Sequence, residues 1–339
     1  MNILVTGGCG FIGTHFIRHV LKQRPRARIV NLDKLTYAGR GGNLNGLRRE
    51  WKNRYRLVRG DIGDRRRVLS LMKKYRFDAV INVAAETHVD RSIVDATPFL
   101  KTNVIGTQVL LECAREAGIK KFLQISTDEV YGTLGGRGRF RETDPLRPNS
   151  PYAVSKAAAD LCCRAAHETY GQWVMVTRCS NNYGLFQFPE KLIPLMVTHA
   201  LQDRPLPVYG DGKYVRDWIF AEDHASALLR VLERGRPGEV YNIGSHEEHQ
   251  NLKIVRRVLR MLGKPLSLIR HVQDRLGHDR RYAIDARKIR RELGWKPAHQ
   301  FEDALELTVA WYCVNRDWWQ RLARMREHQK FQGKYYKGR

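Results

Sequence analysis

The stretch Thr6-Gly7-Gly8-Cys9-Gly10-Phe11-Ile12-Gly13 constrains the fold of this chain more than any other. It follows a short apolar run, residues 2–6. It opens a helical pattern with Phe11, Ile12, Phe16, Ile17, Val20 and Leu21 on one face. Gly7 permits a tight turn, Gly10 lets a pyrophosphate approach the backbone, and Gly13 lets helix and strand pack closely. The helix N-terminus then offers N–H groups and a positive dipole end to phosphates. Asp33 closes the second strand, twenty residues after Gly13, where a carboxylate accepts from ribose hydroxyls. Together these features predict a dinucleotide site. Asp33 favours NAD over NADP because it repels a 2′-phosphate; Lys34 beside it softens that preference.

The segments that follow keep the alternation. Apolar strands are expected at 28–33, 55–61, 78–85, 121–126 and 173–180. Helices are expected at 64–75, 97–117 and from Pro151, where proline suits the first turn. Apolar strands separated by helices mean a parallel sheet covered on both faces, a Rossmann-type, doubly wound α/β fold. After about residue 185, Pro189, Pro194, Pro205 and Pro207 break the rhythm. A strand at 239–243 and helices at 222–234, 251–262 and 302–314 remain. The expected division is a dinucleotide-binding domain over 1–185, with later segments returning to it, and a smaller, interleaved C-terminal substrate domain over 186–315. Residues 316–339 read as a basic, aromatic tail, part of it disordered.

Lysine and arginine number 60 against 35 acidic residues, a formal charge of +25 over 339 residues. Such a balance raises the question of nucleic acid. The excess is concentrated: residues 40–76 carry 13 basic against 3 acidic residues, 253–296 carry 14 against 4, and 316–339 carry 8 against 2. It lies outside nearly all the motifs that bear chemistry and reads mainly as a solvated surface, so no nucleic-acid partner is expected. No apolar run is long enough for a membrane span, and the opening residues lack a secretory pattern. The six cysteines form no C-x-x-C pair and no zinc-like cluster, which fits a reducing cytoplasm and no bound metal.

Two further motifs carry chemistry. Tyr152 and Lys156 stand one helical turn apart, so their side chains share a face. An ammonium beside a phenol is expected to lower the tyrosine pKa, making Tyr152 a base that deprotonates a hydroxyl as hydride leaves the same carbon. Thr127, Asp128 and Glu129 sit at the carboxyl end of the fifth strand, the edge where ligands bind in open α/β sheets. Adjacent acids allow one to serve as general acid and the other as base. Capping of a turn by Thr127 and Asp128 is the structural alternative.

With these motifs the chain resembles the extended short-chain dehydrogenase/reductases of the nucleotide-sugar type, most closely the dTDP-glucose 4,6-dehydratase family. The likeness runs from residue 1 to about 315. It rests on DKLTYAG (33–39), AAETHVDRS (84–92), STDEVYG (126–132), SPYAVSK (150–156), SNNYG (180–184), FPEKLIP (188–194), VYGDG (208–212), VRDW (215–218), YNIG (241–244), GHDRRYAID (277–285) and ELGWKP (292–297). The Asp128–Glu129 pair is what distinguishes this family from 4-epimerases and decarboxylases; UDP-glucose 4,6-dehydratases share it. A non-catalytic, nucleic-acid-binding protein on the same fold is the reading from a different class, and the intact site motifs oppose it.

The resemblance implies a redox-neutral hydro-lyase reaction with NAD retained throughout. Tyr152 takes the proton of the glucose 4-hydroxyl as hydride passes to NAD. Glu129 removes the C5 proton, Asp128 protonates the departing 6-hydroxyl, and the hydride returns to C6. Thr127 holds the 4-oxygen and Lys156 the nicotinamide ribose. The product is a 4-keto-6-deoxysugar nucleotide of deoxysugar biosynthesis, rhamnose formation being one such route. The same family pattern puts Gly7, Gly10, Phe11, Ile12, Gly13, Asp33, Lys34, Thr36, Asp61, Ile62, Ala84, Ala85, Thr102, Tyr152, Lys156 and Asn182 against the dinucleotide. Thr87, Thr127, Asp128, Glu129, Asn181, Lys191, Leu192, Pro207, Val208, Tyr209, Arg216, Asn251, Arg275 and His278 fall on the nucleotide-sugar side. Trp218 and Tyr183 read as packing residues. A homodimer through the helices at 97–117 and 151–170 is also implied. Against the family pattern, Arg40-Gly41-Gly42 is inserted in the loop after Asp33, Cys9 stands for an alanine, Thr87 for a serine, and Leu276 for a Pro or Lys.

Overall fold

The computed structural model describes residues 1–39 and 42–325. The twelve strands among them are β1 (Asn2–Thr6), β2 (Arg28–Asp33), β3 (Tyr55–Arg59), β4 (Ala79–Asn82), β5 (Lys121–Thr127), β6 (Val174–Cys179), β7 (Asn181–Tyr183), β8 (Leu206–Tyr209), β9 (Val215–Phe220), β10 (Val240–Ile243), β11 (Glu248–Gln250) and β12 (Ile269–Val272). Seven form one parallel sheet in the order β10-β6-β5-β4-β1-β2-β3. The order reverses between β1 and β4, so a crevice opens at the carboxyl ends of these strands.

Strand periodicity explains the two-sided cover. In β1, Ile3 and Val5 pack on one face with Phe16, Ile17, Val20, Leu228 and Leu232. Leu4 packs on the other with Val68, Met72, Leu110, Leu111 and Phe122. The sheet is thus buried between helices Phe11–Gln23 and Ala221–Arg234 on one side and Arg65–Tyr75, Gly106–Glu116 and Pro151–Tyr170 on the other. The doubly wound reading of the sequence holds. A separate cluster contains Tyr183, Met196, Val197, Leu206, Trp218, Ile254, Val258, Leu305 and Tyr312. It underlies the small sheets β11-β9-β7 and β12-β8. Strand β10 leaves that region and joins the main sheet beside β6.

Three details depart from the sequence reading. The helix expected at 97–117 contains a wider π turn at Leu100–Ile105. Asn103 in that turn is buried: its amide donates to Glu86 O at 3.0 Å and Ser155 Oγ at 2.8 Å, and its Oδ1 accepts from Glu86 N at 2.9 Å. Tertiary bonds therefore outweigh the regular helical register there. Second, residues from Arg316 are not a loose tail throughout. Arg316–Ala323 is a helix that buries Trp319 and Leu322. Its Trp318 Nε1 donates to Asn43 Oδ1 at 3.2 Å, and Leu322 packs with Tyr37 and Phe188. An amphipathic aromatic stripe, not its net charge, decides its place. Residues 326–339 and, of the insertion, Arg40 and Gly41 lie outside the described residues. Third, the 78–85 strand is cut to Ala79–Asn82, because the chain leaves the sheet to pass under the glycine turn. Among the described residues no helix is long and apolar enough to cross a membrane.

Candidate active site

The glycine turn is built by exclusion. Gly7 has φ +66°, and a Cβ there would lie 2.5 Å from Ala84 Cα. A Cβ on Gly13 would lie 2.6 Å from Gly7 O. Gly8 N donates to Asn31 Oδ1 and Cys9 N to Asp33 Oδ2, at 2.9 and 2.8 Å. These bonds consume the turn's first donors and fix its path. The N-terminus of helix Phe11–Gln23 has no side-chain cap and no acid in its first turn, so its donors remain for an anion. Asp33 also accepts from Leu35 N at 2.7 Å. Burial raises its pKa, and the two backbone bonds oppose the rise. Lys34 is paired with Asp61 at 2.7 Å, a half-exposed bridge that neutralises the lysine.

From this turn a cavity of about 280 Å³ runs across the strand ends to Tyr152. It is lined by every residue expected against the dinucleotide, from Gly7, Gly10, Phe11, Ile12 and Gly13 through Asp33, Lys34, Thr36, Asp61 and Ile62 to Ala84, Ala85, Thr102, Tyr152, Lys156 and Asn182. The π turn delivers Thr102 to its wall. Thr87, Thr127 and Asp128 line the same cavity. A second cavity is lined by Leu192, Pro207, Val208, Tyr209, Arg216, Asn251, Arg275 and His278. Glu129, Asn181, Glu190 and Lys191 line both, so the two spaces meet there. The nucleotide-sugar residues named from sequence thus fall on the two cavities and their junction. Trp218, expected only to pack, both meets Tyr183 edge-to-face and lines the second cavity.

The cradle fits a dinucleotide: a glycine turn with no room for side chains, an uncapped helix N-terminus, and a carboxylate at the end of β2. The second cavity shows buried polar atoms without protein partners among the described residues, namely Asn181 Oδ1, Asn251 Oδ1 and Trp218 Nε1; Asp128 Oδ2 is another, in the first cavity. Unpaired buried polar groups are costly and point to a polar ligand.

At the junction the electrostatics separate the two acids. Asp128 is 2% exposed, and burial, reinforced by the charges of Glu129 and Asp217, pushes its pKa well up. Burial also raises Glu129, and Lys191, Arg216 and Arg275 offset only part of that rise. Different surroundings thus suit one carboxyl to keep a proton and the other to lose it. Thr127 caps the short turn that carries them, its hydroxyl accepting from Glu129 N at 3.3 Å. The capping and catalytic readings of this triplet are therefore compatible.

Tyr152 corrects one expectation. Its phenol bonds Thr127, yet its pKa lies well above the ordinary value, because burial dominates and the Glu129 charge adds to it. Lys156 does not lower it: burial lowers the pKa of the lysine itself, and its Nζ donates to Ile125 O at 2.6 Å. One turn of helix places the pair on one face without bringing the ammonium against the phenol.

The basic candidates of the nucleotide-sugar side differ in state. Arg216 is buried over Tyr282, donating to Val215 O and Asp279 O, both at 2.8 Å. His278 stacks on Tyr214 at 3.7 Å and bonds Asp274 Oδ1 at 2.8 Å. Burial, then the Arg275 charge, lowers its pKa to about 4, so it is neutral near pH 7 and offers a hydrogen bond rather than charge. Lys191 donates to Thr87 O at 3.0 Å. Asn182 is held by His224 Nδ1 at 2.8 Å.

Two acids were missed by sequence reasoning. Glu190 lies at the junction and accepts from Tyr37 Oη at 2.9 Å and Arg91 at 3.4 Å. Asp90 lines the second cavity and grips Arg275. Both fall inside quoted blocks, but linear spacing names no partner for either. Among the described residues, no three His, Cys, Asp or Glu side chains are grouped to hold a metal ion.

Residues 4–308 match the family described as GDP-mannose 4,6 dehydratase. A dTDP-glucose 4,6-dehydratase of Xanthomonas campestris is 52% identical over 333 residues, covering 93% of this chain and 94% of that protein. The dTDP-glucose 4,6-dehydratase DesIV of Streptomyces venezuelae, crystallised with NAD bound, superposes with a TM-score of 0.92 at 48% identity, covering 95% of this chain and all of that one. The dTDP-glucose 4,6-dehydratase of Bacillus anthracis in complex with NAD gives 0.89 at 47%, covering 95% and 99%. On its glycine turn, its Thr-Asp-Glu triplet and these matches, the chain belongs to the GDP-mannose 4,6-dehydratase family and, within it, stands with the dTDP-glucose 4,6-dehydratases.

Proposed function

We propose that this chain is an NAD-dependent hydro-lyase that converts dTDP-glucose to dTDP-4-keto-6-deoxyglucose and water. The observation that carries this reading is the inner end of the first cavity, where Thr127, Asp128 and Tyr152 line the wall beside Glu129, which also faces the second cavity. In this reading residues 1–185 hold the dinucleotide and 186–315 mainly the nucleotide sugar.

NAD, which the glycine turn, Asp33 and the rest of the first cavity's wall would hold, would supply a reversible hydride acceptor and, in its oxidised form, a positive charge near the reacting carbon. Tyr152, bonded to Thr127, is the base at the sugar 4-hydroxyl. Burial holds its proton on, so the phenol becomes basic only when positive charge lies beside it. Glu129 removes the C5 proton and gives it back to C5 when the hydride reaches C6; Lys191, Arg216 and Arg275 face it. Asp128, protonated by burial, donates to the 6-oxygen that leaves as water. Lys191, Arg216 and Arg275 supply positive charge to the diphosphate. The low exposure of Tyr152 and Asp128, 7% and 2%, keeps bulk water from the reacting carbons.

The test is a panel of dTDP-, UDP-, CDP- and GDP-glucose, followed by the alkaline absorbance of a 4-keto-6-deoxy product. Turnover of dTDP-glucose with that product is expected. An epimer, or turnover of UDP-glucose alone, overturns the assignment. The product enters deoxysugar formation, rhamnose being one end point, and the free cysteines suit a reducing cytoplasm. A homodimer is proposed through the neighbouring helical segments 97–116 and 151–170, which expose Leu100, Ile105, Val154 and Leu161. Sedimentation at the monomer mass would remove it.

A further inference from the structure

We infer that Asp90 is a positioning residue for the reaction: it bridges the dinucleotide half to the substrate half and sets Arg275 and Tyr209 in the geometry that receives the nucleotide diphosphate. The inference rests on the nucleotide-sugar reading above. Asp90 lies in the first turn of helix Val89–Val94, just after the strand-end segment that lines the first cavity. Tyr209 ends β8, and Arg275 follows β12. Three segments far apart in sequence therefore meet on one carboxylate.

The contacts are specific. Arg275 Nε donates to Asp90 Oδ1 at 2.5 Å and Nη2 to Oδ2 at 3.2 Å. Tyr209 Oη donates to the same Oδ2 at 3.1 Å. The guanidinium lies 5.1 Å from the Tyr209 ring centre. Two of the guanidinium's nitrogens and one edge of its plane are thus fixed, whereas Nη1 has no protein hydrogen bond among the described residues. All three residues line the second cavity.

Asp90 is 1% exposed, and as an anion it would repel a diphosphate. Its place at that wall makes sense only if its charge is spent on Arg275. A long arginine loses side-chain entropy when it binds a ligand, and a partner that orders it beforehand removes part of that cost. A bidentate fork fixes direction as well as distance, which a lone charge would not.

The test uses Asp90→Asn, which keeps one acceptor oxygen, for either Arg275 Nε or Tyr209 Oη, and removes the charge, and Asp90→Ala, which removes both acceptors and the charge. KM for dTDP-glucose should rise about tenfold in Asp90→Asn, with kcat within about threefold of the parent. Inhibition by dTDP should weaken in parallel, and inhibition by thymidine should stay unchanged. Asp90→Ala and Arg275→Ala should be strongly non-additive in KM, because one acts through the other. Tyr209→Phe should give a smaller KM rise. Equal loss of kcat and kcat/KM, additive effects of Asp90→Ala and Arg275→Ala, or unchanged dTDP inhibition in Asp90→Asn would overturn the inference. If the parent turns over no member of the sugar-nucleotide panel, the functional reading fails instead. Inhibition data are then replaced by calorimetric dTDP binding, which still separates the Asp90 variants from the parent.

Discussion

The two cavities are built on opposite plans. The dinucleotide cavity is cut by backbone: glycines without room for a Cβ, a bare helix N-terminus, and strand ends from consecutive βαβ units. The substrate cavity is assembled by side chains from well-separated segments, tied by charge pairs and aromatic stacks such as Asp90–Arg275 and Tyr214–His278. Backbone architecture tolerates few substitutions at a few positions. Side-chain architecture spreads its cost over many residues and is tuned one at a time. The wall beside their joint borrows from both, because Thr127 caps the backbone turn that carries Asp128 and Glu129.

The largest effect is expected where the plans meet. Tyr152→Phe should leave both cavities able to bind and lower kcat by about 10²–10⁴-fold, as for loss of a general base. Binding of NAD and dTDP by calorimetry should persist; loss of either would move Tyr152 from chemistry to architecture.

Next comes Asp128→Asn, expected to cost about 10²-fold in product formation. Oxidation at C4 should survive better than water loss, so the 340 nm absorbance of reduced cofactor should build up in single turnover. Equal loss of both half-reactions would remove Asp128 from the acid role.

Gly7→Ala sharpens the contrast from the backbone side. With φ +66° and Ala84 Cα 2.5 Å from the new methyl, the turn must shift. NAD affinity should drop at least about tenfold, whereas dTDP binding to the second cavity should change little. A parallel fall in both would show that the cavities are not separable.

The smallest effect concerns stability. Burial lifts the Asp217 carboxyl to about 7. The folded state therefore keeps a proton that the unfolded chain loses above about pH 4. Because the folded pKa is the raised one, native stability falls as pH climbs from about 4 to 7. Asp217→Asn removes this cost and keeps an acceptor for Glu247 N, bonded at 2.8 Å. Its Tm should exceed the parent's by about 2–4 °C at pH 7.5, the gap shrinking toward pH 4. A gap independent of pH would refute the cause.

These contrasts also explain what the sequence could disclose. The sheet and the glycine turn were readable because strand periodicity and Gly7, Gly10 and Gly13 are local signals. The substrate wall came from resemblance to a family, since nothing in the spacing of Tyr209, Arg275 and His278 brings them together. Asp90 and Glu190 escaped because an acid's role here depends on which cation the fold puts against it. The tyrosine's state was misread for the same reason: proximity along a helix does not reveal that Lys156 is turned to Ile125 O. Thr102 was placed without foreseeing the π turn, which is set by the long-range bonds of Asn103.

The four residues common to both cavities have a consequence for inhibitor chemistry. Glu129, Asn181, Glu190 and Lys191 face both spaces, so these side chains are what lies between them. A single molecule joining an adenosine diphosphate end to a thymidine diphosphate end would therefore have to pass only these four side chains. Once one end is seated, the other arrives at the millimolar effective concentration of a short tether. Selectivity over the many proteins that bind only a dinucleotide would then come from the length of the link rather than from either head group.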